Sequence, residues 1–347
     1  MKNYFSVFLV LGLLISCKSE KHAQSTVNND LNIVFLDSVT AAKTILQDRT
    51  DGYFEYLSLA DMSIQLKKSD IPNNGGEVKE MYQDLLRSEM TDFTEDDITF
   101  LNEVFTKAKA AIDTLNPALW PDNINLLKTK LNHYGPEVYY TREEGIIMPL
   151  DIFKEKNVKI QTSVMLHEIF HILSRYNPEL RHKLYDLIGF EKLDGELRLP
   201  NEVANKILTN PDAVSRSYVI DLVDQEGTHQ IAMPLLTSPK ERYDTSMPSF
   251  FAYLQFDLYP LIQISDNEYT LGLNNEGKSA LSVEHHGDFF TQIKDNTQYI
   301  IHPEEIMADN FMMAILAYES NNYENFSEQG KKLIMQVTEI LKGFKQN

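Results

Sequence analysis

The sequence predicts an α+β fold, mainly helical, in which a small sheet borders a central helix and a large insertion follows it. Three observations carry this. An apolar stripe at helical spacing (Ile98, Leu101, Val104, Phe105, Ala108 and Ile112) follows the helix-start signal Thr94-Glu95-Asp96-Asp97. Two short apolar runs, 138–141 and 146–150, flank the turn formers Glu143-Glu144-Gly145. Ile160, Val164, Leu166, Ile169, Phe170, Ile172 and Leu173 put apolar side chains on both sides of one helix, as a central, buried helix requires. A chain of 347 residues with 43% apolar content can build an ample core, as one large domain or two.

The N-terminus stands apart from that globule. Lys2 gives a positive start, residues 5–15 an apolar segment, and Cys17, the only cysteine, closes a small-residue stop. This is a secretory signal, too short to remain as a spanning helix. Its ending, Leu14-Ile15-Ser16-Cys17, resembles the bacterial lipobox. The resemblance implies that residues 1–16 are removed and Cys17 is lipidated, anchoring the chain to a membrane of the bacterial cell envelope, outside the cytoplasm. The remaining chain has no cysteine for a disulfide. Residues 17–32 are polar and read as a flexible tether, leaving 33–347 as the folded domain. A formal charge of −19 makes nucleic acid and anionic lipid poor partners.

Helices are expected over 38–47, over 77–90 after the Gly75-Gly76 break, and from 95 to about 115. Pro117 and Pro121 end that run. The two strands around Glu143-Glu144-Gly145 lead into the central helix from about Gln161, and Asn177-Pro178 opens another helix ending at Gly189. Residues 190–300 form the insertion, with a hairpin signal at 218–223 and 229–233 around Asp224-Gln225-Glu226-Gly227. Residues 250–258 are apolar, aromatic and ambiguous in type. A helix starts at Pro303 and a last one at Ser327.

The chemistry sits on the central helix. His167-Glu168-x-x-His171 puts two imidazoles one turn apart, on one face, where they can close on a single zinc ion. Glu168 then lies beside the metal, able to take a proton from bound water. Two hydrogen-bonded core histidines would give the same spacing without a metal. A third ligand is offered far downstream by Glu305, with Asp309 one turn later on the same face. First-turn acids are also favoured by the helix dipole, which is the plainer reading of Glu304 and Glu305. His302 reads as the cap of that helix.

Together, His167, Glu168, His171 and the Glu305/Asp309 pair resemble the gluzincin, or thermolysin-type, zinc metallopeptidases. The resemblance implies a zincin-like fold, His167, His171 and Glu305 as zinc ligands, Glu168 as general base activating a zinc-bound water, and Asp309 orienting His167. It also implies that the stretch holding Ile146, Ile147 and Met148 borders the sheet and pairs with the substrate backbone. The blocks 171–178, 209–213 and 299–305 are similar to a group of secreted bacterial zincin-like lipoproteins. Between His171 and Glu305 lies far more chain than thermolysin-type enzymes have, hence the insertion.

Such catalysis needs a donor for the oxyanion, and Tyr299 is the candidate. Arg142 and Arg175 could grip a substrate carboxylate or make surface pairs. His133, His182 and His229 read as surface residues. Peptide-bond hydrolysis on a peptide or protein substrate is the expected function. The alternative is a catalytically silent zinc-binding accessory lipoprotein, for which the retained Glu168 has no use.

Overall fold

A computed structural model describes residues 24–346, Pro248 excepted, so the expected signal segment 1–16 and Cys17 lie outside the described residues. In the first half, short apolar runs become six strands: β1 (Thr26–Asn28), β2 (Ile33–Phe35), β3 (Met90–Thr91), β4 (Ile124–Thr129), β5 (Tyr140–Arg142) and β6 (Gly145–Pro149). Their order is β1-β2-β4-β6-β5, with β3 paired to β4. Strands β2, β4 and β6 run parallel, while β5 folds back on β6 through a turn in which Glu143 is left-handed at φ 50°.

The expected tether ends sooner than its composition suggested. Thr26–Asn28 pairs with Ile33–Phe35, Ser25 Oγ donates to Asp37 at 2.7 Å, and Asn28 donates to Asn102 at 2.7 Å. Polar residues here belong to a solvent-facing edge strand, which composition alone does not distinguish from a linker.

Helices α1 (Ser38–Thr44), α2 (Tyr53–Tyr56), α3 (Leu59–Leu66), α4 (Gly75–Ser88) and α5 (Glu95–Leu115) accompany this sheet. The Thr94 signal forms a full capping box with Asp97, and the stripe on α5 is buried except for the partly buried Ile98. The central helix α6 (Val158–Tyr176) begins three residues earlier than expected, because Asn157 caps it by accepting from the Ile160 N–H at 3.1 Å. Ile160 itself is exposed; from Met165 to Arg175 the helix is buried apart from the partly buried His167.

Beyond α7 (Pro178–Asp186), the insertion builds a second sheet of seven strands: β7 (Phe190–Lys192), β8 (Glu196–Arg198), β9 (Ile207–Leu208), β10 (Tyr218–Val223), β11 (His229–Thr237), β12 (Gln255–Ser265) and β13 (Glu268–Leu271). Its order is β7-β10-β11-β12-β13-β8, with β9 on β11. The hairpin at Asp224–Gly227 is β10–β11, and the ambiguous aromatic run is a short 3-10 turn followed by β12. The fold is mixed α+β, with more sheet than the sequence reading allowed. Pro234 and Pro260 interrupt the runs that form β11 and β12, and proline argues against a strand interior by propensity.

Helices α8 (Asn201–Ala204) and α9 (His286–Ile293) flank the second sheet; α10 (Pro303–Ser320) and α11 (Glu328–Lys342) close the chain. Leu101 and Phe105 of α5, Leu166, Ile169 and Phe170 of α6, and Ile306, Phe311 and Ile315 of α10 share one core. Phe170 meets Phe311 with ring centroids 5.4 Å apart. That packing holds α6 and α10 side by side. Among the described residues no helix is long and apolar enough to cross a membrane.

Candidate metal centre

His167 and His171 project from α6 toward the first two turns of α10, with ring centroids 4.8 Å apart. Each ring is tethered from behind. His167 Nδ1–H donates to Asp309 Oδ1 at 2.9 Å, and His171 Nδ1–H to Glu304 Oε1 at 3.1 Å. With the rings neutral, as an ion between them would require, these bonds select the tautomer in which Nε2 keeps its lone pair. Both Nε2 atoms face one carboxylate oxygen, Glu305 Oε2, at 3.2 and 3.6 Å. Ligands of a tetrahedral ion bound at about 2.0–2.2 Å lie about 3.3–3.6 Å from one another. Among the described residues, His167, His171 and Glu305 form a possible metal-binding cluster, with ligand atoms all within 4.8 Å. Three acceptors aimed at one point, two of them on residues only 1% exposed, repel unless a cation or protons lie between them. The donor set fits a metal ion.

Each member has its own support. Glu305 Oε1 accepts from Asn210 Nδ2 at 2.6 Å. Burial pushes the Glu305 carboxyl up, but the positive histidines and Asn210 outweigh it and hold the group at about 2. Glu304 accepts from the hydroxyls of Ser174 and Tyr185 as well as from His171. His302 caps α10, its Nδ1 accepting from the Glu304 N–H at 3.0 Å, as the sequence suggested. The Thr297 hydroxyl donates to Asp309, and the Tyr299 N–H donates to Thr297 Oγ1 at 2.9 Å. That short relay lays the Tyr299 ring on His167, centroids 6.2 Å apart and 21° from parallel. The Glu305 carboxylate foremost, then burial, push the Tyr299 phenol upward, so it keeps its proton.

Glu168 is 5% exposed, and its Oε2 has no hydrogen-bond partner. Its neighbour is Asp212: a carboxylate oxygen of each, together with a His171 nitrogen, lie within 4.8 Å of one another. Burial first, and then Asp212, push the Glu168 carboxyl up to about 8. A dication among the ligands would draw it down again, toward the range of a working base. Asp212 is itself fixed, its Oδ1 accepting from the Thr141 N–H and hydroxyl, both at 2.6 Å.

Other expectations are corrected. Ile146, Ile147 and Met148 lie in β6, between β4 and β5, and are fully buried, so their backbone is committed to neighbouring strands. The edge is β5, and the Thr141 N–H on it is taken by Asp212. Neither arginine reaches toward a substrate. Arg175 is buried, donating to Asp51, the Glu143 carbonyl and Thr141 Oγ1, and Arg142 stacks 4.1 Å from the centre of the Tyr53 ring. His133 is buried among Tyr82, Tyr134 and Tyr140.

Sequence reasoning missed Glu304, Asn210 and Asp212. Ser174 lies three residues after His171, on the same helix face, and that spacing could have pointed to a polar group beneath the second histidine. No ligand spacing marks Asn210 or Asp212, which stand out in the sequence only as part of the 209–213 block and reach the site from the loop after β9. Compared with known proteins, the chain matches no family model, no curated protein and no solved structure.

Proposed function

We propose that the chain is an exported, lipid-anchored zinc peptidase of zincin-like fold, hydrolysing peptide bonds at the α6–α10 centre. One observation carries the reading: two histidines pinned at Nδ1 present Nε2 to Glu305, while the adjacent Glu168 holds a buried, unpartnered oxygen beside them. A purely structural histidine pair has no use for that free carboxylate oxygen.

His167, His171 and Glu305 would hold the zinc, and a nitrogen-rich set of three ligands suits that ion. Zinc held there supplies Lewis-acid polarisation of water and of the scissile carbonyl. Glu168 takes the proton of the attacking water and passes it to the departing amine nitrogen as the C–N bond breaks. Tyr299, kept protonated by the surrounding carboxylates, donates to the oxyanion that develops on the carbonyl oxygen. Asp309 and Glu304 keep both rings turned to the ion. Residues 1–17 would deliver the domain to the cell envelope, anchored to a membrane outside the cytoplasm.

The test is Glu168→Gln, which keeps size and polarity and removes the basic oxygen. Zinc content and fold should be unchanged, and kcat on the best peptide of a cleavage library should fall about 10²–10⁴-fold. Equal activity of wild type and variant would refute the mechanism. Zinc binding without turnover on any peptide would favour the accessory-protein reading.

A further inference from the structure

The second sheet has two faces, and only one of them meets the metal-bearing half of the chain. On that side Leu258 joins the core cluster of α6, and Leu236 packs with Ile64 of α3. Side chains alternate along a strand, so Leu235 and Thr237 of β11, with Asp257 and Tyr259 of β12, turn the other way. There Val203 of α8 packs with Leu235 and Tyr259. Beside this apolar layer, between β11, β12, α8 and the turn 274–278, lies a half-open cleft of about 620 Å³. Neither a metal ligand nor Glu168 lines it.

The lining is mixed in charge and little used by the chain itself. Glu202, Lys206, Asp257, Glu276 and Lys278 bring three carboxylates and two ammonium groups. Among the described residues only Glu276 and Lys278 pair with each other, at 2.9 Å. Asp257 Oδ1 accepts from the Leu258 N–H at 2.9 Å. Burial, opposed by that bond and by His286, pushes the Asp257 carboxyl upward, so a further donor would relieve it. Thr237 and Tyr259 are only 7% and 4% exposed, yet both line the same space. The wall opposite is a braced turn. Asn274 Oδ1 accepts from the Glu276 and Lys278 N–H groups at 2.9 and 3.1 Å. Gly277, at φ 72°, meets α8 closely, since a Cβ there would lie 3.4 Å from Glu202 Cβ.

We propose that this cleft binds a short neutral saccharide, on the face of the second sheet turned away from the metal centre. The ligand class follows from what the lining excludes. Phosphate or another anion would meet three carboxylates. A metal ion would sit beside two ammonium groups, and no three ligand atoms converge there among the described residues. An apolar ligand would strip water from charges it cannot pair. A sugar hydroxyl donates one hydrogen bond and accepts others, so one molecule can serve Asp257 and Lys206 together. Its C–H face can rest on Tyr259 or Phe256. The volume lies in the roughly 300–1,000 Å³ range of small-molecule sites. The proposal stands on the second sheet alone and is independent of the peptidase reading. On this account the insertion is a glycan-binding unit joined to the metal-bearing half.

The experiment titrates the mature chain calorimetrically with maltotriose, cellotriose, mannotriose and triacetylchitotriose. Inorganic phosphate and triglycine are titrated as controls. Asp257→Ala and Lys206→Ala are run beside wild type, with fold checked by circular dichroism; both side chains are partly exposed and outside the apolar core. At least one of the sugars should bind, and each variant should weaken it about tenfold. Removing metal from the wild type with a chelator should leave that affinity unchanged.

A wild type that binds none of the four sugars overturns the proposal. So does binding that either folded variant leaves intact, or that chelation abolishes. Phosphate or triglycine bound more tightly than any sugar, and weakened by the same variants, overturns it too and assigns the cleft to a charged ligand.

Discussion

The two histidines of α6 are supported by two different carboxylates, and the contrast between those supports is instructive. Asp309, behind His167, is 20% exposed and accepts from two side chains, His167 and Thr297. Glu304, behind His171, is 2% exposed and accepts from three, His171, Ser174 and Tyr185. The chemical task is the same, turning a ring toward the ion. The energetic situations differ. A partly exposed carboxylate can recruit water when its partner is removed, whereas a buried one leaves several groups stranded at once. Asp309 should therefore act on the metal, and Glu304 on the metal and the fold together.

The largest expected effect follows from the buried side. Glu304→Ala strands the His171 Nδ1–H and two hydroxyls in the core, and removing one partner of a buried charged pair typically costs about 3–5 kcal/mol. Urea unfolding of the metal-free variant, beside metal-free Asp309→Ala, should show the greater loss for Glu304. Equal midpoints would mean that the difference in burial has no energetic consequence.

A smaller effect is expected on the open side. Asp309→Asn keeps the shape and loses the charge behind His167, so zinc affinity should drop about 10–100-fold while stability changes by less than about 1 kcal/mol. Competition titration against a chromophoric chelator measures the first, and denaturant unfolding of the metal-free protein the second. Unchanged affinity would show that the 2.9 Å bond to His167 does not tune the ligand.

The same contrast explains what could be read from the sequence. His167, Glu168, His171, Glu305 and Asp309 are legible because a helix turns one-dimensional spacing into a shared face, and α6 and α10 each carry their residues within a few positions. The Thr94–Asp97 box and the β10–β11 hairpin were legible for the same local reason. Glu304 was visible as a letter but not as a support, since its role depends on Ser174 and Tyr185 arriving from α6 and α7. Asn210 and Asp212 come from a loop held between β9 of the second sheet and Thr141 of the first, and the size of the second sheet was hidden by prolines within β11 and β12. The interior position of Ile146, Ile147 and Met148 depends likewise on β5 folding over them as the edge strand. Pairing across long sequence separation leaves no local signature.

The central claim is that His167, His171 and Glu305 hold one zinc ion. Elemental analysis of the purified mature chain, set beside His171→Ala and Glu305→Ala prepared identically and checked for fold by circular dichroism, tests it directly. The account expects one zinc per wild-type chain and a loss of most of it in both variants. Full zinc content in either folded variant, or none in the wild type after reconstitution, would contradict it.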